Sequence, residues 1–146
     1  MKKFIDQLDS LRIKQAIAAA ERLTSGELRI VLQNEAVTDP VDAARIEFAR
    51  LNMHRTRERN AVLILLAPAS RTFAIYGDEA IHQKCGQPFW DEVTAAMTGS
   101  FRDGQFTEGL VHAIEHAGQL LAQHFPRRDD DTNELPDDVV ERRPVI

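Results

Sequence analysis

Glu27, Asn60 and Asp78 are the residues whose chemistry and placement first ask for a function in this chain. Each stands where a polar turn meets an apolar run. Glu27 opens Glu-Leu-Arg-Ile-Val-Leu-Gln, Asn60 precedes Ala-Val-Leu-Ile-Leu-Leu-Ala, and Asp78 follows Thr-Phe-Ala-Ile-Tyr-Gly. Two carboxylates, an amide oxygen and neighbouring main-chain carbonyls are the ligands a hard cation takes, Ca²⁺ first and Mg²⁺ as the alternative. Arg59 beside them can pair with a carboxylate or bind an anion. Asn and Asp at strand ends also serve plain turns, so these residues form a site only if the fold gathers them.

The elements that would gather them are readable from the pattern. Ile13, Ala16, Ile17 and Ala20 recur at helical spacing, predicting a helix from about Ser10 to Thr24, capped by Asp9 or Ser10 and stopped by Gly26. Glu27 to Gln33 reads as a strand. Asp39-Pro40 supplies a capping carboxylate and a proline at the first helical position. Val41, Ala44, Phe48 and Leu51 then mark an apolar stripe that ends near Asn52. Ala61 to Ala67 is continuously apolar, as expected of a central strand covered on both faces. Pro68-Ala-Ser70 turns the chain into a strand at Thr72 to Tyr76, which must be antiparallel to its predecessor. The two strands flanking the second helix should be parallel, joined by a crossover. Their starts and the finish of the third strand therefore fall at one end of the sheet, where Glu27, Asn60 and Asp78 lie.

A short turn at Glu79 to Lys84 is expected before Gly86. A helix carrying Phe89, Val93, Met97 and Phe101 follows, then a turn at Arg102 to Gln105, then a last helix from about Thr107 to Phe125. The sum is a three-layer α/β/α sandwich around a small mixed sheet, a parallel crossover pair plus an antiparallel hairpin. It occupies residues 1–126 as one domain, with 127–146 as a charged tail, mobile or loosely docked.

Other chemistry-bearing patterns carry less. His112-Ala-Ile-Glu-His116 has the spacing of an inverted zinc-protease motif. Both histidines nonetheless project away from the Leu110, Ile114, Leu121 stripe, toward the wet side of the helix. Asp129-Asp-Asp-Thr-Asn133 begins like a calcium loop but has Glu134 where glycine is required and Val140 where a bidentate glutamate belongs. His54-Arg-Thr-Arg-Glu-Arg59 is a basic run that reads first as a solvated loop. Cys85 has no base near it in sequence and is expected to be an idle thiol. Phe89 and Trp90 are expected as core anchors.

Composition sets outer bounds. With 146 residues, 43% hydrophobic and 28% charged, the chain suits one globular domain. A formal net charge of -5 gives no basic footprint for nucleic acid. One cysteine makes no internal disulfide. The N-terminus lacks a signal-peptide core, and no apolar run approaches the ~20 residues of a membrane span. A cytoplasmic protein without membrane insertion is the expectation.

Thr24-Ser-Gly-Glu27, Arg59-Asn-Ala-Val-Leu-Ile64, Phe73-Ala-Ile-Tyr-Gly-Asp78 and Phe101-Arg-Asp-Gly-Gln-Phe-Thr-Glu-Gly109 together resemble the TPM domain family. That family is named for a thylakoid lumen protein, a photosystem II repair factor and a modulator of nematode acetylcholine receptors. The resemblance runs in order over roughly residues 8–126, and Asn133 to Asp137 is similar to the ending of a short bacterial branch. It implies an α/β/α sandwich, Ca²⁺ binding in some members, acid phosphatase activity in a plant member, and assembly or accessory roles in others. The family's asparagine-glycine before the apolar strand corresponds here to Asn60-Ala61, which keeps the side-chain oxygen and removes backbone freedom. Many members carry a signal peptide and a membrane anchor; neither is read here.

Two functions compete on these grounds. The first is a non-catalytic accessory or binding domain that holds Ca²⁺ at the sheet end through Glu27, Asn60, Asp78 and Asp103, with no organic cofactor. Its partner would be a protein, membrane-associated if the family habit holds. The second is a weak metal-assisted acid phosphatase, in which a cation polarises a phosphomonoester, Arg59 stabilises developing charge, and Asp78 or Asp103 serves as base or nucleophile.

Overall fold

Asp9 opens the first helix, its side chain accepting from the Arg12 N–H at 3.1 Å, which satisfies one of the donors every helix start leaves over. The structure, a computed structural model, describes residues 8–70, 72–127 and 139–142. Helix α1 (Ser10–Glu21) buries Ile13, Ala16, Ile17 and Ala20, the stripe its spacing predicts. It ends before Thr24 because Thr24 is claimed elsewhere. Its hydroxyl donates to the Phe125 carbonyl at the far end of the chain, and the Ser25 N–H donates to that same oxygen at 2.9 Å. Gly26 is therefore not the helix stop. A β-carbon there would lie 3.2 Å from both the Asn60 carbonyl and Leu121, so the residue is small to admit close packing.

Strand β1 (Glu27–Gln33) is followed by α2 (Pro40–Arg50), capped by Asp39 onto the Asp42 N–H at 3.1 Å. Asn52 closes that helix in the left-handed conformation with φ 57°. Within α2, Ala44 and Phe48 are buried, whereas Val41, read as part of the apolar stripe, is 56% exposed. Strands β2 (Ala61–Ala67) and β3 (Thr72–Gly77) complete the crossover and hairpin. β1 and β2 pair in parallel with Glu27 opposite Ala61; β2 and β3 pair antiparallel with Val62 opposite Gly77.

Helix α3 (Glu79–Arg102) and helix α4 (Phe106–His124) form a hairpin across one face of the sheet. The segment Glu79 to Lys84, expected as a turn, is helical. Asp78 caps it, Ile81 is fully buried, and the chain kinks at Gly86 (φ 66°) before Pro88 resumes the helix. The short glycine-proline interruption disguises one long element as a turn plus a helix.

One correction concerns the C-terminal stretch. Val139–Arg142 forms strand β4, parallel to β1, with Ile30 opposite Val139, giving the sheet order β3-β2-β1-β4. Four residues with only two apolar members give too little period to read as a strand. The candidate calcium loop at Asp129 to Asn133 and the stretch Asn133 to Asp137 lie outside the described residues.

Alternation along the strands fixes the layers. Leu28, Ile30, Leu32, Val62, Ile64 and Leu66 face the core shared with α1, α3 and α4. Val31, Leu63, Leu65 and Ala74 face α2. The molecule is thus an α/β/α sandwich with a mixed sheet in the middle, and every residue of β2 is buried. Where α4 crosses α1, a β-carbon on Gly118 would sit 2.7 Å from that of Ala20, so glycine there sets the interhelical distance.

Arg12 binds α1 to the start of α4 through a two-pronged contact with Glu108, one arm at 2.9 Å. That hydrogen bond holds the Glu108 carboxyl below the ordinary glutamate pKa. A carboxyl with a depressed folded pKa contributes stability above its unfolded value and loses it as pH falls through the folded one. Glu108→Gln is expected to lower the thermal midpoint slightly at neutral pH and to converge with wild type below about pH 4, which flattens the acid limb of the profile. An unaltered acid limb would show the pair to be idle.

Candidate functional site

The end of the sheet at which β1 and β2 begin and β3 finishes is built from three loops. The first, Thr24 to Gly26, is pinned to the end of α4 by the Phe125 carbonyl, and the Gly26 N–H donates to the Thr24 hydroxyl at 3.0 Å. The second, Thr56 to Asn60, turns sharply at Arg59, whose φ of 54° is unusual for a residue with a side chain. The asparagine-alanine departure noted in the sequence is relevant here, because the left-handed turn falls on Arg59, one residue ahead of Asn60. The third loop, Gly77 to Glu79, is fastened to the second on both sides. The Asp78 N–H donates to the Ala61 carbonyl at 3.0 Å and the Ala80 N–H to the Arg59 carbonyl at 3.2 Å.

On this frame sit two polar clusters. In one, Arg59 grips Asp78 in a two-pronged pair, Nε to Oδ2 at 2.7 Å and Nη2 to Oδ1 at 2.8 Å. Asp78 also accepts from the Glu79 N–H at 2.8 Å, capping α3. Glu79 lies 3.5 Å from the guanidinium on its outer side. Donating to Asp78 raises the Arg59 pKa above its ordinary value. Asp78 is 5% exposed, while the Arg59 side chain keeps 42% of its surface. In the other cluster the Ser25 hydroxyl donates to Glu58, and the Asn60 amide donates to both Ser25 Oγ and Glu58 Oε2 at 3.1 Å.

Asn60 and Asp78 are brought to the same end of the sheet, as is Glu27. Glu27 is buried at 4% exposure and lies on the α2 face of β1, sharing that face with Arg29 and Val31. Asp103 is not part of this end. It caps α3 next to Gly104, and Gly104 lines a cavity with Leu66, Ala67 and Thr72, at the finish of β2 and the start of β3. Ring contact between Phe101 and Phe73 fixes that end of α3 there. The length and direction of α3 decide this, and neither is encoded in the Arg102 to Gln105 turn itself. Arg59, read as an anion receptor, spends its two-pronged face on Asp78. Ser25 and Glu58 were not singled out, although Glu58 is the lone acid in a basic run just ahead of a buried strand.

The carboxylate and hydroxyl oxygens agree in kind with a hard cation, while Asn60 turns its amide N–H toward Ser25 and Glu58. Among the described residues, however, no three His, Cys, Asp or Glu side chains converge as a ready metal cage. His112 is exposed and His116 contacts Glu92 at 3.2 Å on the outer face of the helical layer. Burial raises the Cys85 thiol pKa, which favours the unreactive thiol form.

The mixed sheet flanked by α2 on one face and by α1, α3 and α4 on the other, with its polar end closed by Arg59 and Asp78, defines the class. A family model described as the TPM domain matches residues 1–120, and the chain belongs to that family. Among solved structures it is similar to the BA42 protein of the psychrophilic bacterium Bizionia argentinensis, an NMR structure. Identity to it is 39% with a TM-score of 0.89, covering 97% of this chain and 100% of that one. It also matches the N-terminal domain of a protein from P. gingivalis at 18% identity and a TM-score of 0.59, covering 76% of this chain and 72% of that one; this shows the fold alone. No curated protein matches the chain. Among the described residues no helix is long and apolar enough to cross a membrane.

Proposed function

We propose that the chain is a non-catalytic accessory domain that takes Ca²⁺ weakly at the sheet end, through the oxygens of Glu58, Asp78 and Ser25, with the Asn60 amide holding Ser25 and Glu58 in place, in the service of a protein partner. The observation that carries this reading is the pair of carboxylates flanking the Arg59-Asn60 turn, each held by an internal donor. Arg59 and a cation compete for Asp78. Few acidic ligands and an internal competitor correspond to the weak end of Ca²⁺ sites, with Kd about 10⁻⁴–10⁻³ M.

The matching family model's short name joins TPM to phosphatase, which makes phosphomonoester hydrolysis the alternative. Against it, Asp78 has both oxygens engaged by Arg59 and the Glu79 N–H, and Asp103 lies at the other end of the sheet. They cannot act together on one phosphoryl group. Calorimetric titration with CaCl₂ should give a saturable signal that Glu58→Gln weakens. Hydrolysis of a model phosphomonoester should run at the same background rate in wild type and Asp78→Asn. No Ca²⁺ signal would remove the metal from the proposal. A rate that collapses in Asp78→Asn would replace it with the enzyme.

A further inference from the structure

The opposite end of the sheet holds a cavity of about 680 Å³, between the β2–β3 turn and the α3–α4 turn. Its walls include Leu66, Phe73, Phe101 and Phe106, with Thr72, Thr98 and Arg102 as the polar lining. The rings are fixed against one another, Phe73 to Phe101 at 5.6 Å and Phe101 to Phe106 at 5.5 Å between centroids, both edge to face. The turn that carries two of them is tightly bonded, with the Gln105 N–H donating to the Ser100 carbonyl at 2.8 Å and Gly104 in the left-handed region at φ 78°. The size falls in the range of small-molecule sites, and an apolar lining with a few polar groups is their usual make-up.

Two observations point to the head group of an occupant. Arg102 is exposed, and its side chain has no hydrogen bond or ion pair among the described residues. The Thr72 hydroxyl is buried at the cavity wall, likewise without a hydrogen-bond partner there. A cation and an unmet hydroxyl beside three aromatic rings complement one negative, hydrogen-bonding end joined to an apolar body. We propose that this cavity binds a small amphipathic carboxylate, of the medium-chain fatty-acid class, with its chain among Phe73, Phe101 and Phe106 and its carboxylate at Arg102. The site is separate from the polar sheet end and stands or falls independently of it.

The test is an amide-resonance titration of the full chain with decanoate, kept below micelle formation, and with decanol for comparison. Saturable shifts confined to residues around Leu66, Phe73, Thr98 and Phe101 support the proposal. So does a loss of affinity of roughly tenfold in Arg102→Gln, the size expected when a hydrogen bond to a charged group is removed. Thr98→Trp enters the cavity from an exposed position on α3 and should abolish the shifts while thermal melting stays cooperative. Decanol binding as tightly as decanoate, shifts indifferent to Thr98→Trp, or no saturation with folded protein would each overturn it. Self-association without decanoate that Thr98→Trp blocks would assign the cavity to a second copy and would also overturn it.

Discussion

Asp78→Ala is expected to lower the free energy of unfolding by about 2–3 kcal/mol and to remove Ca²⁺ binding with it. The side chain does two structural jobs. It caps α3 through the Glu79 N–H, a role whose loss costs about 1 kcal/mol. It also meets the Arg59 guanidinium with two hydrogen bonds, worth about 1.5–3 kcal/mol when made to a charged group. That second figure is taken at its lower end because the Arg59 side chain is 42% exposed and recovers water when its partner is gone. Urea unfolding of wild type and variant measures the difference. A loss under about 0.5 kcal/mol, the scale of an ordinary surface substitution, would show that the clasp does not hold the loops.

The larger effect belongs to the sheet itself. Ile64 is fully buried at the middle of β2, paired with Ile30 on one side and Ile75 on the other, and faces the α1, α3 and α4 core. Ile64→Ala removes three carbons where helices on one face and neighbouring strands on both sides limit collapse. It should cost about 3–5 kcal/mol, lost transfer energy plus the residual cavity. The midpoint of urea unfolding should fall with its slope unchanged, which separates a stability change from a changed denatured state. A cost below about 1 kcal/mol would mean that this core repacks freely.

These two variants mark what the sequence made legible. Ile64 belongs to an uninterrupted apolar run, and such a run has few readings other than a doubly covered strand. Asp39-Pro40, Asn52 and Gly77-Asp78 punctuate the elements, so the parallel pair and the hairpin follow, and with them the meeting of Glu27, Asn60 and Asp78 at one end. What those residues do on meeting is a matter of side-chain geometry. That Asp78 would be taken by its neighbour Arg59, and that Glu58 rather than Glu27 would share Ser25 with Asn60, depends on a left-handed turn at a non-glycine residue. No composition rule marks such a turn. Asp103, expected with the site, is carried by α3 to the other end of the sheet. β4 escaped notice because a strand of four residues borrows its stability from β1 and leaves little pattern of its own.

The clasp also gives the account its sharpest exposure. Arg59 is the internal cation of this site, and removing its charge should free Asp78 for an external one. Calorimetric titration of wild type and Arg59→Gln with CaCl₂, side by side at one ionic strength, is the direct measurement. The account predicts weak saturable binding in the wild type and binding tighter by roughly tenfold or more in Arg59→Gln, since one unit charge near a carboxylate is worth at least ~1.4 kcal/mol at protein surfaces. Equal affinity in the two proteins, or weaker binding in Arg59→Gln, would contradict it.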